Sequence, residues 1–485
     1  MNLLDKISRI YHIWSPYKDN QTPLYRGLFN LFRQHIQNGD LPSGFYVPST
    51  RVLSKELGIS RSTANRVYEL LIFEGLLESK IGKGYQIPKK VVDQSATSSD
   101  KPLLTDQLSE VAHSFLNLPS NAESQNISSL SFRPGVPPLD IFPIRKWMSI
   151  TQKYWKEIQY SSLNYKPTSG IHPLKETLSN YLRVDRNIHC DPEQIIVVSG
   201  SLQSLYLIAN ALINPTDSVQ IENPSFQNVN SVFNGMRANL IPLEIDEFGA
   251  KIPGSISSNL KLTHLTPSCQ YPLGIEMSLQ RKLEWIEFAK NTNTFLVEND
   301  YEHEIVHYKR DIPTLFQLDT NKNTIYLATF NRILHPSIRI GYMVVPSRLL
   351  PAMEALMNHS HRFVSPATQF VLNEFIQLSY LQMHVKSVVQ NATERKSAFI
   401  KTAKTLFPEW NIQETSALHL LVKLALDSNQ SDITLSNKLL DNDIVTHSLS
   451  NLYLNNSVEK GLILGYSSTP ASVILQKLNK WHAII

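Results

Sequence analysis

Two arginines seven residues apart could form an anion site in the second half of the chain. Arg332 and Arg339 follow a β-prone run over 324–330. A guanidinium stays protonated in proteins, so it can bind a phosphate or a carboxylate but cannot attack an aldehyde. Two fixed positive charges in one pocket are costly to bury unless an anion or an acidic side chain neutralises them. The segment therefore predicts either an anion-binding cleft or a filled pocket in which Arg332 is an ion-paired structural residue.

A second anion-binding feature is the turn Ser199-Gly200-Ser201. It lies between a strand-like run over 194–199 and a helix-like run over 202–213. Free backbone N–H groups and the positive end of a helix dipole favour a phosphate at such a turn. The turn alone is a weak signal, because many strand–helix turns carry Gly and Ser for their geometry. Its significance depends on the motifs that accompany it along the chain.

Strands and amphipathic helices must alternate to position these two features. Strand-like runs are predicted over 194–199, 218–222, 262–266, 294–298, 324–330 and 340–345, and helix-like runs over 202–213, 279–290 and 366–407. The alternation predicts an α/β fold with a mostly parallel sheet, followed by a small C-terminal α+β lobe. Ligands of open sheets bind at the carboxyl ends of strands, which is where both anion-binding features fall.

Composition and hydropathy set the broad class of protein. The chain has 485 residues, 42% of them hydrophobic, which is enough for two or three domains with buried cores. Two cysteines, Cys190 and Cys269, imply no disulfide framework. The N-terminus lacks the apolar core of a signal peptide, and no apolar run approaches the ~20 residues of a membrane span. We expect a soluble, cytoplasmic protein without a metal site.

Positive charge is concentrated at the N-terminus. Residues 1–90 contain 13 Lys/Arg and 7 Asp/Glu, a net charge of +6, whereas the remainder of the chain is close to neutral. A small basic head on a near-neutral body suggests a polyanion partner for the head, although a merely solvated basic face would give the same count.

Cap and turn residues in this head predict a helix-turn-helix. A helix over 23–36 precedes a short helix that is capped by Ser49 and ended by Gly58, and Ser60 caps the next helix. Two short helices joined by a three-residue turn form the DNA-binding motif. Polar residues at the start of the second helix can reach base edges and phosphates in the major groove, namely Arg61, Ser62, Thr63, Asn65 and Arg66.

A hairpin follows the two helices. β-prone runs over 76–80 and 85–88 flank Gly82-Lys83-Gly84, whose lysine suits a phosphate or minor-groove contact. Residues 23–88 as a whole resemble the GntR-type winged-helix domain, through Gly39-x-Leu41-Pro42-Ser43-Gly44, Pro48-Ser49-x-Arg51-x-Leu53, Leu57-Gly58-Ile59-Ser60-Arg61-Ser62-Thr63, Glu74-Gly75 and Gly82-x-Gly84. The resemblance implies contacts to double-stranded DNA from Arg51, Arg61, Thr63, Arg66 and the wing glycines.

The rest of the chain resembles the aminotransferase-like domain of MocR regulators, a subgroup of the GntR regulators. The motifs that carry the resemblance are Gly135-x-Pro137, Gly170-x-x-Pro173, Gly200-Ser201-x-Gln203, Glu222-Asn223-Pro224-Ser225-Phe226, Thr266-Pro267-Ser268-x-Gln270-Tyr271-Pro272-x-Gly274, Glu298-x-Asp300-Tyr301 and Pro336-x-x-Arg339-x-Gly341-Tyr342. It implies a fold-type I aminotransferase domain, a head-to-tail homodimer and a pyridoxal phosphate site used for sensing. The predicted domains are a winged helix over 1–88, a linker over 89–127 and an effector and dimerisation domain over 128–485.

The resemblance also assigns cofactor-binding positions. Ser201 and Arg339 match residues that bind the phosphate, Phe226 matches an aromatic residue beside the ring, and Tyr301 matches the tyrosine that contacts the ring hydroxyl. These four residues would retain the non-covalent part of a pyridoxal phosphate site.

Two positions depart from the family's pattern. Asn299 stands where the family has an aspartate that pairs with the ring nitrogen, and a neutral amide cannot supply that counter-charge. Arg332 stands where the family has the lysine that forms the Schiff base, and a guanidinium cannot form it. Any pyridoxal phosphate in this chain is therefore expected to be bound non-covalently.

The sequence thus predicts a dimeric transcriptional regulator with a degenerate, non-enzymatic effector domain. A small anion or an amino acid is the expected effector, and the linker is expected to transmit its binding to paired DNA heads. One alternative is an active or residual pyridoxal phosphate-dependent aminotransferase fused to a DNA-binding head. Another is a regulator that needs no ligand and uses the large domain for dimerisation alone.

Overall fold

The computed structural model describes residues 23–80, 84–88, 108–116, 118, 131–164, 167–424, 431–455 and 459–484. The chain divides into two compact units, one ending at Leu104 and the other starting at Thr105. This division lies inside the predicted linker, of which residues 108–116 and 118 are described; the predicted domain limits themselves stay a prediction. Gly82 and Lys83 of the predicted wing tip lie outside the described residues.

The small unit has the helices and strands of a winged helix in its described residues. The helices are α1 Leu24–Gln37, α2 Thr50–Leu57 and α3 Arg61–Phe73, and the strands are β1 Tyr46–Val47, β2 Glu78–Lys80 and β3 Gly84–Gln86. Two serines cap the helices as predicted: Ser49 Oγ accepts from the Val52 amide at 3.3 Å, and Ser60 Oγ accepts from the Thr63 amide at 3.1 Å. The antiparallel order β1-β3-β2 includes β1, which the sequence did not predict.

A seven-stranded sheet organises the large unit, in the order β4-β12-β11-β10-β9-β5-β6. Its strands are β4 Ile195–Val198, β5 Ser218–Glu222, β6 Asn239–Leu243, β9 Leu260–Leu265, β10 Phe295–Asn299, β11 Thr324–Thr329 and β12 Gly341–Val344. Only β12 runs antiparallel to its neighbours, so the predicted mostly parallel sheet is confirmed. Strand β6 was not predicted, and neither was the short hairpin β7 Ile245–Asp246 and β8 Gly249–Ala250.

Helices cover both faces of this sheet. They are α4 Glu110–Leu116, α5 Ile144–Glu157, α6 His172–Arg186, α7 Ser201–Leu212, α8 Gln227–Gly235, α9 Leu279–Thr292, α10 His303–Val306, α11 Leu315–Leu318, α12 Leu350–His359, α13 Pro366–Gln377 and α14 Tyr380–Leu406. Alternate residues of β4 enter different cores: Ile195 and Val197 pack in one cluster, and Ile196 and Val198 in another. Burial on both faces explains why the strands read as continuous apolar runs.

A four-stranded antiparallel sheet forms the C-terminal lobe, in the order β13-β14-β16-β15. Its elements are β13 Asn411–Glu414, β14 Leu420–Lys423, α15 Asp432–Leu440, β15 His447–Ser448, β16 Gly461–Leu464 and α16 Ala471–His482. The predicted small α+β lobe is therefore present. The helical run predicted over 366–407 is two helices rather than one, because Ser379 between α13 and α14 adopts a left-handed backbone with φ of 58°.

Helix α4, in the connector, packs on α8 of the large unit. Gly235 ends α8, and the ring of Phe115 fills the space beside its Cα: a Cβ there would lie 2.4 Å from two ring atoms. Glu110 at the start of α4 forms an ion pair with Arg237, two residues beyond α8. The two contacts place both ends of α4 beside the C-terminal end of α8.

Candidate DNA interface and effector site

Helix α3 presents a polar face and buries an apolar one. Its buried residues are Ala64, Val67, Tyr68 and Leu71. Four of the predicted DNA contacts on this helix are exposed, and Thr63 is half-buried with its hydroxyl 2.8 Å from that of Ser60; the exposed four are Arg61, Ser62, Asn65 and Arg66. Arg66 forms an ion pair with Glu69 at 3.1 Å. Arg51 is exposed on α2, and Gly84 begins β3.

Tyr68 fixes α3 against the segment that precedes α2. Its hydroxyl donates to the Pro48 carbonyl at 2.7 Å within the buried core, and burial raises the pKa of the phenol well above its ordinary value. Because a buried hydroxyl needs a hydrogen-bond partner, this bond sets the orientation of α3 relative to the rest of the head.

The effector-site residues come from the carboxyl ends of four strands. Ser201 begins α7 after β4, and Phe226 precedes α8 after β5. Asn299 ends β10, with Tyr301 two residues beyond, and Arg332 lies in a 3-10 turn directly after β11. These four strands run in the same direction within one sheet, with β12 between β4 and β11 and β9 between β10 and β5. The sheet therefore brings the five residues to one edge, as the predicted topology requires.

The turn at Gly200 and Ser201, predicted to bind a phosphate, is closed by the Asn331 side chain, which was not among the predicted site residues. Gly200 has φ of 128°, and a Cβ at this position would lie 3.0 Å from the Asn331 side-chain nitrogen. Asn331 Oδ1 accepts from the Ile340 amide at 3.3 Å, which ties the turn to the segment after Arg339. Arg339 itself is exposed and forms no hydrogen bond with the turn within the described part of the chain.

The Arg332 side chain lies against Gly135. A Cβ on Gly135 would sit 1.2 Å from Arg332 Nη1, so the guanidinium occupies space that only glycine leaves free, and Gly135 also has φ of 73°. The guanidinium carbon is 5.9 Å from the centre of the Phe226 ring. Arg332 is half-buried and forms no salt bridge with a carboxylate of the described residues. The ion-paired alternative for Arg332 thus lacks an acidic partner there.

Two buried titratable groups lie within electrostatic range of Arg332. Glu302 Oε2 accepts from the Leu418 amide at 2.7 Å; burial raises the pKa of this carboxyl, and Arg332 partly offsets the rise. His419 pairs with the Pro272 carbonyl at 3.0 Å, and burial lowers the pKa of its imidazole to about 4, so the ring is neutral at pH 7. Glu302 was missed by the sequence reasoning, although it directly follows the assigned Tyr301.

Aromatic rings crowd around Phe226. The Tyr271 ring stacks on it at 3.9 Å with an interplanar angle of 3°, and Tyr301 meets it edge-on at 4.9 Å. The Tyr301 hydroxyl donates to the Cys269 carbonyl at 3.1 Å. One face of the ring that the resemblance assigns to cofactor stacking is therefore covered by a neighbouring residue, and the Tyr301 hydroxyl hydrogen already has an acceptor.

Asn299 is buried with an unused acceptor. Only 4% of the residue is exposed, its Nδ2 lies 3.4 Å from His264 Nε2, and its Oδ1 has no partner within the described residues. Burial lowers the pKa of His264 to about 3, so this neighbour is also uncharged. The inner end of the site carries no negative charge at the position where the family has its aspartate.

These residues fit pyridoxal phosphate in part. The glycine-led start of a twelve-residue helix, at Gly200 and Ser201, suits a phosphate. Asn299 can hydrogen-bond a ring nitrogen but cannot hold it protonated by charge. Arg332 offers no amine for covalent attachment.

A buried ionic network lies on the opposite side of β10. Arg186, at the end of α6, pairs with Asp300 at 2.9 Å, and the Tyr326 hydroxyl donates to the same carboxylate at 2.9 Å. The guanidinium holds the pKa of Asp300 well below its ordinary value, against the effect of burial. Asp300 is thus a structural partner of α6, whereas the adjacent Asn299 contacts His264 instead.

The fold and the two sites define a DNA-binding regulator with an aminotransferase-like domain. The class I and II aminotransferase family matches residues 134–457, and the gntR family of bacterial regulatory proteins matches residues 24–87. The chain therefore belongs to the aminotransferase class I and II family and carries a gntR-type domain in front of it, the architecture of MocR regulators. The resemblance inferred from the sequence is confirmed.

Relatives with this architecture are similar over nearly the whole chain. The probable rhizopine catabolism regulatory protein MocR of Rhizobium meliloti is 26% identical, over 95% of this chain and 94% of the relative. The pyridoxine biosynthesis transcriptional regulator PdxR of Corynebacterium glutamicum is 24% identical, over 90% of each chain. The structure of Pyrococcus horikoshii kynurenine aminotransferase aligns with a TM-score of 0.69 at 22% identity, covering 79% of this chain and 99% of that one, which establishes the fold.

In the described parts of the chain, no helix has both the length and the apolar character that a membrane crossing requires.

Proposed function

We propose that the aminotransferase-like domain of this MocR-type transcriptional regulator senses an effector and does not catalyse transamination. The observation that carries the proposal is the pair of residues at the ends of β10 and β11. Asn299 brings no charge to the inner end of the site, and Arg332 brings a guanidinium to the place where a Schiff-base lysine would stand. Both substitutions remove catalytic chemistry while leaving groups that can bind a ligand.

Pyridoxal phosphate is the cofactor class that the aminotransferase family implies. It would supply an aldehyde for covalent capture of amines and a ring that accepts electrons. In this chain, the turn at Gly200 and Ser201 would hold the phosphate, with Arg339 as the second phosphate ligand that the resemblance assigns. Arg332 contributes positive charge without a transferable proton. Any pyridoxal phosphate in the site is bound without a covalent bond to the protein.

The winged helix supplies the regulatory output. Exposed polar residues on α3 would read the major groove, and Arg51 and the wing would contact phosphates, all within the cytoplasm where the operator lies. A homodimer, as the resemblance implies, would place two heads on two half-sites of the operator. An effector that favours one arrangement of the large domains would then alter the spacing of the heads.

Substitutions on α3 test the DNA-binding function. We expect Arg61→Ala and Arg66→Ala each to weaken operator binding by about tenfold or more, since each removes a charged contact to DNA. Arg33→Ala is the matched control, because Arg33 lies on α1, is 46% exposed and pairs with Glu74 instead. Gel-shift titration of genomic fragments upstream of the gene measures all three variants. Equal affinities for wild type and both α3 variants would remove the recognition-helix assignment.

Borohydride reduction tests the loss of covalent chemistry. Wild-type protein incubated with pyridoxal phosphate should yield no reduced adduct on the peptide that contains residue 332, because guanidinium does not form an imine. Arg332→Lys is the positive control and should yield such an adduct, detected by peptide mass. A wild-type adduct on any lysine of the aminotransferase-like domain, together with conversion of an amino acid to its 2-oxo acid, would favour the aminotransferase alternative.

A further inference from the structure

We infer that helix α4 in the connector docks reversibly on α8 and thereby sets the length of chain that joins the DNA-binding head to the large unit. When α4 is docked, the connector is fixed at the C-terminal end of α8. When α4 is released, its residues become part of a longer connector. The inference rests on the proposed function, in which the head supplies the regulatory output, and adds a conformational device to it.

Gly235, the last residue of α8, leaves room for an aromatic ring of α4. Phe115 Cε1 and Cζ lie 2.4 Å from the place that a Cβ on Gly235 would take. The backbone of Gly235 is not in the left-handed region, so its conformation does not call for glycine, and glycine weakens a helix relative to other residues. The contact with Phe115 is therefore what requires a residue without a side chain at this position.

The attachment of α4 is weak by itself. The helix has seven residues, none of them buried, and helices of this length do not persist alone in water. Phe115 remains 37% exposed beside Gly235. In the ion pair between Arg237 and Glu110, the two side chains are 44% and 77% exposed, and such pairs contribute little to stability. A segment held by so few buried contacts opens by local unfolding, while the large unit stays folded.

Helix α8, on which α4 docks, is held much more firmly. Val229, Val232 and Phe233 of this helix are buried, and they pack in the same cluster as apolar side chains of β4 and β5. Opening of α8 would break this core, whereas opening of α4 would only expose the space beside Gly235. The two helices therefore differ widely in local stability, which allows one to leave the other.

Release of α4 would change the length of the connector. In the docked state, 21 residues, 89–109, lie between the described end of the winged helix and the start of α4. After α4, the next described position bonded to the rest of the large unit is Ser131, whose carbonyl accepts from the Val445 amide at 2.9 Å. Release would thus lengthen the connector to as many as 42 residues, 89–130. The effective concentration of a tethered group falls as about the −3/2 power of tether length, so this doubling lowers it by about threefold.

Hydrogen exchange of the full-length protein at a series of low urea concentrations tests the reversible docking. We expect the amides of residues 112–116 to be protected at least about a hundredfold less than those of residues 229–235. Urea should hardly change the exchange of α4, because its local opening exposes little surface, whereas exchange of α8 should become faster with urea. Equal protection and equal urea dependence of the two helices would overturn the inference, because α4 would then be a fixed part of the large unit.

Phe115→Ala tests the effect of release on DNA binding, with Leu116→Ala as the matched control. Leu116 lies on the same helix and is 62% exposed, and it is the Phe115 ring that lies beside Gly235. Gel-shift titrations use the operator fragment and a fragment cut to one half-site. Phe115→Ala should bind the full operator about threefold more weakly than wild type, because its connector is longer, and should bind the half-site fragment equally well. Leu116→Ala should match wild type on both fragments.

Two results of these titrations would overturn the role of α4 in DNA binding. One is equal affinity of wild type and Phe115→Ala for the full operator. The other is an equal loss on both fragments, because the change would then lie in the head rather than in the connector. In either case operator binding by wild type would leave the proposed regulatory function standing, whereas absence of operator binding by wild type would reject that function itself.

Discussion

Neighbouring residues at the end of β10 have different roles. Asn299 lies at the predicted effector site, and Asp300 pairs with Arg186 on the opposite side of the sheet at 2.9 Å, because successive residues of a strand point to opposite faces. Removing one partner of a buried pair typically costs about 3–5 kcal/mol. A neutral residue at position 299 leaves no ion pair broken, whereas replacement of Asp300 would leave Arg186 without its buried partner.

Glu304 predicts a pH dependence of stability. Neither of its carboxyl oxygens has a hydrogen-bond partner in the described structure, and the nearby His303, 3.4 Å from Oε2, is uncharged because burial lowers its pKa to about 3. Burial raises the pKa of Glu304 from 4.5 to about 8. The folded protein therefore retains a proton that the unfolded chain loses, and the stability due to this group falls as pH rises from about 4.5 to about 8. Each pKa unit corresponds to about 1.4 kcal/mol.

Glu304→Gln should remove this dependence, because glutamine has a similar shape and does not titrate. The free energy of unfolding of wild type, relative to the variant, should fall between about pH 4.5 and about pH 8, as measured by urea denaturation. Other buried acids, such as Glu222 and Glu298 with pKa values of about 7, titrate in both proteins and largely cancel. A constant difference across this range would show that Glu304 is ionised in the folded protein.

The structure places Asn299 and Arg332 at neighbouring strand ends, as expected, while their roles stay predictions. Arg332 and Asn299 could be assigned from the sequence, since a guanidinium and an amide stand out at positions that call for an amine and an acid. Gly135 and Glu302 could not be assigned to the surroundings of Arg332. Those contacts depend on how the segment before α5 and the start of α10 pack against β11, and no local pattern encodes such packing.

At the scale of elements, α8 connects the effector site with the connector. The helix starts directly after Phe226 and ends at Gly235, against which the Phe115 ring of α4 lies. Gly235 does not have a positive φ, so an alanine there would strain the contact rather than the backbone.

Gly235→Ala should dislodge α4. The added methyl would lie 2.4 Å from the Phe115 ring, so the ring must move, and overpacking of this kind costs about 1–3 kcal/mol. Hydrogen exchange of the amides of residues 110–116 should become faster in this variant. Gly254→Ala is the matched control, because nothing lies within 4 Å of a Cβ at Gly254. Unchanged protection of α4 in Gly235→Ala would mean that Phe115 can shift without releasing the helix.

Elements with strong local signals were predicted correctly, and weaker ones were missed. The serine caps of α2 and α3 and the apolar strands β4, β5, β10 and β11 have clear patterns in the sequence. Strand β1 has two residues, too few for an alternating pattern. The break between α13 and α14 falls at Leu378 and Ser379, without the glycine or proline that usually marks the end of a helix.

At the scale of the whole molecule, the charge distribution follows the division into two units. The net charge of +6 on residues 1–90 belongs to the unit that contains the winged helix, and the near-neutral remainder belongs to the aminotransferase-like unit. The order of the two units could be predicted because the family motifs occur in a fixed order along the chain. Such an ordered set specifies an architecture more strongly than the periodicity of apolar residues does. Periodicity alone gives an α/β class and no topology.

The contact between Arg332 and Gly135 also limits how this chain could evolve. A lysine at position 332 would regain an amine and lose the guanidinium that packs on Gly135, while Asn299 would still leave the ring nitrogen without a counter-charge. Asn299→Asp alone would bury a negative charge in an uncharged pocket. The site would still lack a lysine that could bind the cofactor covalently. Under the proposed function, neither substitution alone would supply both the covalent anchor and the counter-charge of the ring nitrogen. Gain of transamination would therefore need both changes together.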